Sequence, residues 1–242
     1  MSSDNNWSSL IERDTPRAIK FQAHVNPYAA GSVIIEYGLT KVHITVSVQE
    51  SVPPFLKGRG TGWVTAEYAM LPGSTQTRID RDRKGVSGRA QEIQRLIGRS
   101  LRAIVDLKKL GERSILVDCD VLLADGGTRT AAITGGYVAL EFAVKKLMKD
   151  GVIEHNPLKE RIAAISVGIN QAGKVITDLD YEEDSSCETD LNLVLTSDGR
   201  FVEIQGTAEG EPFEDKYLQA ILQAGRKALT KVFEEQSKIL KD

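Results

Sequence analysis

Cysteine and histidine are both scarce: Cys119 and Cys187, with His24, His43 and His155, are all that 242 residues contain. With no Cys-x-x-Cys pair and no spaced Cys/His set, a disulfide framework and a zinc module both lack their ligands. A reducing, cytoplasmic setting is expected. No apolar run approaches the roughly 18 residues of a membrane span, and the polar start MSSDNNWSSLIERD has no signal-peptide core, so a soluble chain with no membrane partner is expected. A large net charge is missing too. The balance is −3, from 31 basic and 34 acidic residues, which taken alone argues against a strongly nucleic-acid-binding surface.

That average hides two segments. Residues 55–102 carry Lys57, Arg59, Arg78, Arg81, Arg83, Lys84, Arg89, Arg95, Arg99 and Arg102 against only Glu67, Asp80, Asp82 and Glu92. Residues 178–190 carry Asp178, Asp180, Glu182, Glu183, Asp184, Glu188 and Asp190 and no base. A basic segment can neutralise phosphates and an acidic one can hold a divalent cation; a site acting on a polyanion needs both.

The organisation follows from periodicity. Residues 1–13 read as a flexible segment. GSVIIEYG and KVHITVSVQ form a hairpin across Gly38-Leu39-Thr40, and GWVTAEYAML has strand composition inside an irregular loop over 51–88. Ile93, Leu96, Ile97, Leu101, Ile104 and Val105 recur at helical spacing from Arg89, giving about five turns. SILVDCDVLLADG alternates as a strand, with Asp118 and Asp120 on one face as structural carboxylates or a competing acidic pair. Thr128 to Lys149 is a second helix, whose stripe of Ala132, Gly135, Gly136, Ala139 and Ala143 suits close backbone packing. After Asn156-Pro157 come the strands AAISVGINQ and KVITDLD, the acidic run, a hairpin turning at Asp198-Gly199, and an amphipathic helix over 214–240. Grouped β and α blocks predict an α+β fold of mixed sheets and helices, with domains at 14–155 and 156–242.

Two helix starts could carry chemistry. Ser87-Gly88-Arg89 and Gly126-Gly127-Thr128-Arg129 each place an arginine in a first turn, where unpaired N–H groups and the dipole favour an anion and disfavour a cation. Ordinary capping by Ser87 and Thr128 with solvated arginines is the alternative. In the acidic run, Asp184 and Asp190 flank a Ser-Ser-Cys turn, with Asn192 on the same side of the following strand as Asp190. Metal binding and a solvated loop both fit that pattern. Arg78, Arg81, Arg83 and Lys84 suit either a phosphate-gripping loop or a solvated one. Cys187, beside carboxylates, is a poor nucleophile.

Three long stretches, VPPFLKGRGTGWVTAEYAMLPGSTQTR, SGRAQEIQRLIGRSLRAIVDLKKLGERSILVDCDVLLADGGTRTAAITGG and YEEDSSCETDLNLVLTSDGRFVEIQGTAEGEPF, closely resemble the bacterial ribonuclease PH family over roughly residues 14–240. The resemblance implies a phosphate-dependent 3′-to-5′ exoribonuclease, a nucleotidyltransferase that trims the 3′ trailer of transfer-RNA precursors and acts in ribosomal-RNA processing. It would release nucleoside diphosphates and, in reverse, add nucleotides from them. A homohexamer built as a trimer of dimers is also implied. Arg89, Gly127, Thr128 and Arg129 would bind phosphate. Asp184 and Asp190 would hold Mg²⁺ or Mn²⁺, Asp184 alternatively serving as a general acid. Lys57, Arg59, Arg78, Arg81, Arg83, Lys84, Arg95 and Arg99 would contact RNA. A non-catalytic RNA-binding ring subunit is the alternative.

Overall fold

Alternation decides the first sheet. In the computed structural model, which describes residues 7–81, 85–209 and 211–241, the strands β1 (Ile11–Arg13), β2 (Ile19–Ala23), β3 (Gly31–Tyr37), β4 (Thr40–Gln49) and β5 (Trp63–Met70) come first. Val33, Ile35 and Tyr37 on β3, with Val42, Ile44 and Val46 on β4, are fully buried, as period-two placement of apolar residues requires. Tyr37 pairs with Thr40, so Gly38 and Leu39 make a two-residue turn. Gly38 takes φ +56° there, a conformation glycine adopts without steric cost.

The chain continues through α1 (Gly88–Ala103), α2 (Leu107–Leu110), β6 (Ser114–Leu123), α3 (Thr128–Lys149), β7 (Ile162–Ile169) and β8 (Val175–Thr177). It ends with α4 (Tyr181–Ser186), β9 (Thr189–Thr196), β10 (Phe201–Ala208) and α5 (Asp215–Ile239). One sheet runs β2-β3-β4-β6-β5 and the other β1-β8-β7-β9-β10. The α+β expectation holds. Two pairings are parallel, β5 with β6 and β1 with β8, in otherwise antiparallel sheets.

Helix α3 packs on β3 and β4 of one sheet and β7 of the other, which explains why apolar and small residues surround it. The small stripe permits that approach: a Cβ on Gly135 would lie 2.6 Å from Ile44 Cδ1, and one on Gly31 of β3 would lie 2.1 Å from the Ala139 carbonyl oxygen. Buried residues of both sheets join one continuous core. Polar ties cross it as well. Thr134 Oγ1 accepts from the Ala164 amide at 2.9 Å, and the buried Gln236 amide on α5 donates to the carbonyls of Ile162 and Thr134.

Three expectations change. Residues 1–6 lie outside the described set, but the remainder of the expected flexible segment 1–13 is structured: Ile11 and Arg13 pair with β8, and Arg13 donates to Glu183. The first strand therefore belongs to the sheet built by the C-terminal half. Helix α1 stops at Ala103, because the chain bends so that Val105 bridges to Leu158 and Asp106 caps α2. The acidic run is a short helix rather than a turn. Among the described residues no helix is long and apolar enough to cross a membrane.

Candidate active site

The two helix starts are built differently. Ser87 caps α1, its Oγ accepting from the Ala90 amide at 3.3 Å, and no acidic residue occupies the first turn. Helix α3 begins after two left-handed glycines, Gly126 (φ +69°) and Gly127 (φ +63°). A Cβ on Gly126 would lie 2.2 Å from the Leu179 carbonyl oxygen, so only glycine lets this turn sit against the β8–α4 corner. The cap position, Gly127, offers no side chain to the helix. The Thr128 hydroxyl is not a cap: it is 2.8 Å from Tyr68 Oη on β5. Capping thus accounts for Ser87 and not for Thr128, and the cap residue of α3 supplies no side-chain acceptor to its first-turn donors.

Burial holds the Tyr68 phenol above its ordinary pKa, opposed by its bond to Thr128 and by the charges of Arg89 and Arg129. It remains protonated at neutral pH.

The acidic run divides by role. Asp178 is fully buried and paired with Arg17. Asp180 and Glu183 form a capping box at the start of α4, with Glu183 also paired to Arg13 at 2.6 Å. Local geometry explains this: Asp180-x-x-Glu183 is the spacing at which each side chain reaches the other's backbone N–H. Glu182 and Glu188 are exposed. Asp184 on α4, itself exposed, and half-buried Asp190 on β9 remain, and both line one cavity.

That cavity, of about 530 Å³, is lined by Arg89, Gly127, Thr128, Arg129, Asp184, Asp190 and Asn192, among others. Asp190 and Asn192 share a face, as their spacing predicts. Desolvation by the cavity wall raises the Asp184 carboxyl above its usual range, while Arg129 and Arg89 pull it down. Asp190 is raised first by desolvation and then by Asp184, with Arg129 opposing. Two adjacent, mutually repelling carboxylates without an ion-pair partner among the described residues are a donor set that a hard divalent cation fits. No group of three or more His, Cys, Asp or Glu side chains able to hold a metal occurs among the described residues. Two carboxylates suffice for Mg²⁺ where substrate phosphates and water complete the shell.

The basic residues are dispersed. Arg81 lines a second cavity beside Arg89, Arg78 is paired with Asp80 at 2.7 Å, and Arg83 and Lys84 lie outside the described residues. Arg95 is exposed on α1, and Lys57 and Arg59 are exposed in the loop before β5. Arg99 is bonded to Glu203 of β10, and Arg102 stacks 4.4 Å from the Trp63 ring centroid. Asp118 and Asp120 are not among the described residues that line the cavity. Asp118 is opposite Glu67 in the sheet, and desolvation, then Glu67 and Asp120, raise its carboxyl. Sequence reading missed Tyr68 and Gln205, which touch Thr128 and Arg129; neither belongs to a local pattern that could have disclosed it.

Known proteins share both the sequence and the fold of this chain. Residues 15–145 match the model of the 3′ exoribonuclease family, domain 1, and residues 160–228 that of domain 2. The Neisseria meningitidis proteins named ribonuclease PH, from serogroups C and B, are 53% identical over 229 residues, 94% of this chain and 94% of theirs. Rice Rrp46 has the same fold, with a TM-score of 0.78 and 18% identity over 97% of this chain and 100% of its own. A chain of the Archaeoglobus fulgidus exosome with RNA bound to the active site has a TM-score of 0.78 and 21% identity, over 92% of this chain and 89% of its own. With both domain models matched in order and more than half the residues shared with curated relatives along nearly their full length, this chain belongs to the 3′ exoribonuclease family, in its ribonuclease PH branch.

Proposed function

We propose that the cavity is a phosphorolytic centre in which inorganic phosphate attacks the terminal phosphodiester of an RNA 3′ end and releases a nucleoside diphosphate. The observation that carries this reading is the convergence of Arg89, Arg129, Asp184 and Asp190, from α1, α3, α4 and β9, on the walls of a single cavity. A hydrolase would attack with water and release nucleoside monophosphates, an outcome that the product assay below separates from phosphorolysis. A ring subunit that only binds RNA has no need of two anion-binding arginines facing two carboxylates.

Arg89 and Arg129 bind the attacking phosphate with forked donors, helped by the Thr128 hydroxyl and the backbone donors of the first turn of α3. They hold it in line with the scissile phosphorus and leave its oxygens nucleophilic, since a guanidinium takes no electron pair. Asp184 and Asp190 would hold Mg²⁺ or Mn²⁺. A cation held there would supply charge neutralisation for the reacting phosphoryl group and the departing 3′ oxygen. The alternative role for Asp184 is that of a protonated general acid towards that oxygen instead of a cation ligand, a form favoured by the desolvation that raises its pKa.

Transfer-RNA precursors are the proposed substrates, in the cytoplasm. The proposed assembly is a homohexamer, for which the exposed Tyr28, Leu39 and Phe55 are side chains that subunit contacts could cover. The two domains are read at 14–155 and 156–242. The test is to incubate a transfer RNA bearing extra 3′ nucleotides with and without inorganic phosphate. Phosphate-dependent appearance of nucleoside diphosphates is expected; monophosphates formed without phosphate, or no products, would overturn the reading.

A further inference from the structure

The Arg129 guanidinium is held from behind. Its Nη1 donates to Gln205 Oε1 at 3.3 Å. The same amide donates through Nε2 to Glu92 Oε1 at 2.8 Å, and that carboxylate oxygen lies 3.5 Å from Arg129 Nη1. Three elements meet here: α3 supplies the arginine, β10 the amide and α1 the carboxylate. Register brings Gln205 to the place, because it stands opposite Asn192, one of the cavity-lining residues. The ion pair between Arg99 and Glu203, two residues earlier on β10, fastens the strand to α1.

The chemistry of the three groups fixes the orientation of the amide. A guanidinium only donates and a carboxylate only accepts, so Oε1 must face Arg129 and Nε2 must face Glu92. Arg129 and Glu92 carry opposite charges within reach of each other. Without an intervening group they would close into a forked ion pair, turning the guanidinium away from the cavity and cancelling the charge an anion needs. Gln205 bonds to both of them and holds their direct contact at 3.5 Å through a single nitrogen, short of a forked pair.

We infer that Gln205 is a positioning residue for the anion site: it keeps Arg129 aimed into the cavity with its charge intact and keeps Glu92 from capturing it. The inference rests on the reading of Arg129 as a phosphate ligand. It makes Glu92 the latent competitor of phosphate and Gln205 the spacer between them.

The experiment measures the phosphate KM, the RNA KM and kcat of the full chain, with binding of inorganic phosphate by calorimetry as a readout independent of turnover. Gln205→Met keeps the side-chain length and removes both hydrogen bonds. It should raise the phosphate KM and Kd about tenfold, the scale of one hydrogen bond to a charged group, while kcat at saturating phosphate and the RNA KM stay near the parent. Adding Glu92→Gln should restore phosphate affinity, because no carboxylate remains to capture Arg129. A structural defect would not be rescued in this way. The inference is overturned if Gln205→Met leaves phosphate affinity unchanged, or if Glu92→Gln fails to relieve its loss. Should Gln205→Met not fold, Gln205→Glu supplies the same test with the opposite change in charge: a second carboxylate beside Arg129 should weaken phosphate binding, and an unchanged Kd would overturn the inference. Arg129→Ala separates the underlying reading. If it leaves phosphate affinity intact, that reading fails; if it abolishes binding while the Gln205 variants bind normally, only the spacer role fails.

Discussion

Arg17 and Asp178, 161 residues apart, form a forked ion pair: Nη2 donates to Oδ1 at 2.8 Å and Nε to Oδ2 at 3.0 Å. The Arg17 backbone amide adds a third bond to Oδ2 at 2.8 Å. Asp178 sits at φ +56°, a conformation aspartate tolerates better than most residues. The remaining Arg17 nitrogen, Nη1, donates to the carbonyl of Asp125 at 2.6 Å, immediately before the paired glycines. This pair therefore braces the turn from which α3 presents its arginine.

Asp178→Ala should accordingly destabilise the protein by about 3–5 kcal/mol, since it leaves the partly buried Arg17 with only the longer, 3.5 Å contact to Asp125. A fall in Tm on the order of ten degrees is expected for a chain of this size. Differential scanning calorimetry checks it, and a Tm within a degree of the parent would show that the brace is dispensable.

Arg129→Ala and Arg89→Ala should each lower turnover at limiting phosphate by an amount equivalent to about 2–4 kcal/mol, the scale of one preorganised electrostatic donor. Because both groups act on one anion, the double variant should cost less than the sum. Initial rates over a phosphate series measure this, and strict additivity would place the arginines on separate ligands.

Asp184→Asn and Asp190→Asn should each raise the Mg²⁺ concentration that half-saturates activity. A titration that overlays the parent's, in rate and in midpoint, would return the two carboxylates to the role of a solvated acidic surface.

Burial, then Asp184, Glu183 and Asp190, push the Cys187 thiol up to about 11, with Arg13 opposing. At pH 8 the thiolate is then roughly one part in a thousand, and iodoacetamide labelling should rise about tenfold per pH unit up to pH 10. Peptide mass spectrometry reads the profile. A plateau near pH 9 would show an ordinary thiol.

Lys57 and Arg59 precede the Trp63 end of β5, whereas Met70, at its other end, lines the cavity. Seven strand steps separate the two ends by about 23 Å. Lys57→Ala with Arg59→Ala should weaken binding of full-length precursor and flatten its salt dependence by about 0.7–0.9 log units per lost phosphate contact. Oligonucleotides too short to span that distance should be trimmed as before. An unaltered salt slope with precursor would remove these residues from the RNA path.

Sequence reading reached the elements whose partners lie nearby. The bounds of α3, the β3–β4 hairpin and the period-four face of α1 follow from residues within one or two turns of each other. Arg89 and Arg129 were legible because a cation in a helix's first turn works against the helix. The acidic run was not divisible in the same way. Which carboxylate faces an arginine and which faces a cavity depends on Arg13 and Arg17, more than 150 positions earlier. Strand β1 was hidden for a related reason: three residues carry no period, and its partner β8 follows far along the chain. Gln205 is uncharged and stands in a strand of mixed exposure, so only the register against Asn192 brings it into view.

The parallel pairing of β1 with β8 has a consequence for the order in which the protein is made. At about 5–20 residues per second, a ribosome releases the N-terminal strand roughly ten to thirty seconds before its partner exists. Meanwhile β3, β4, β5, β6 and the helices α1 and α3 have every local partner they need. The anion cavity is therefore a late product of translation: its arginines are in place early, but its carboxylates and the brace behind them arrive only with the last third of the chain. A polypeptide truncated before Asp178 would carry the two arginines without the brace and without the two carboxylates that share their cavity.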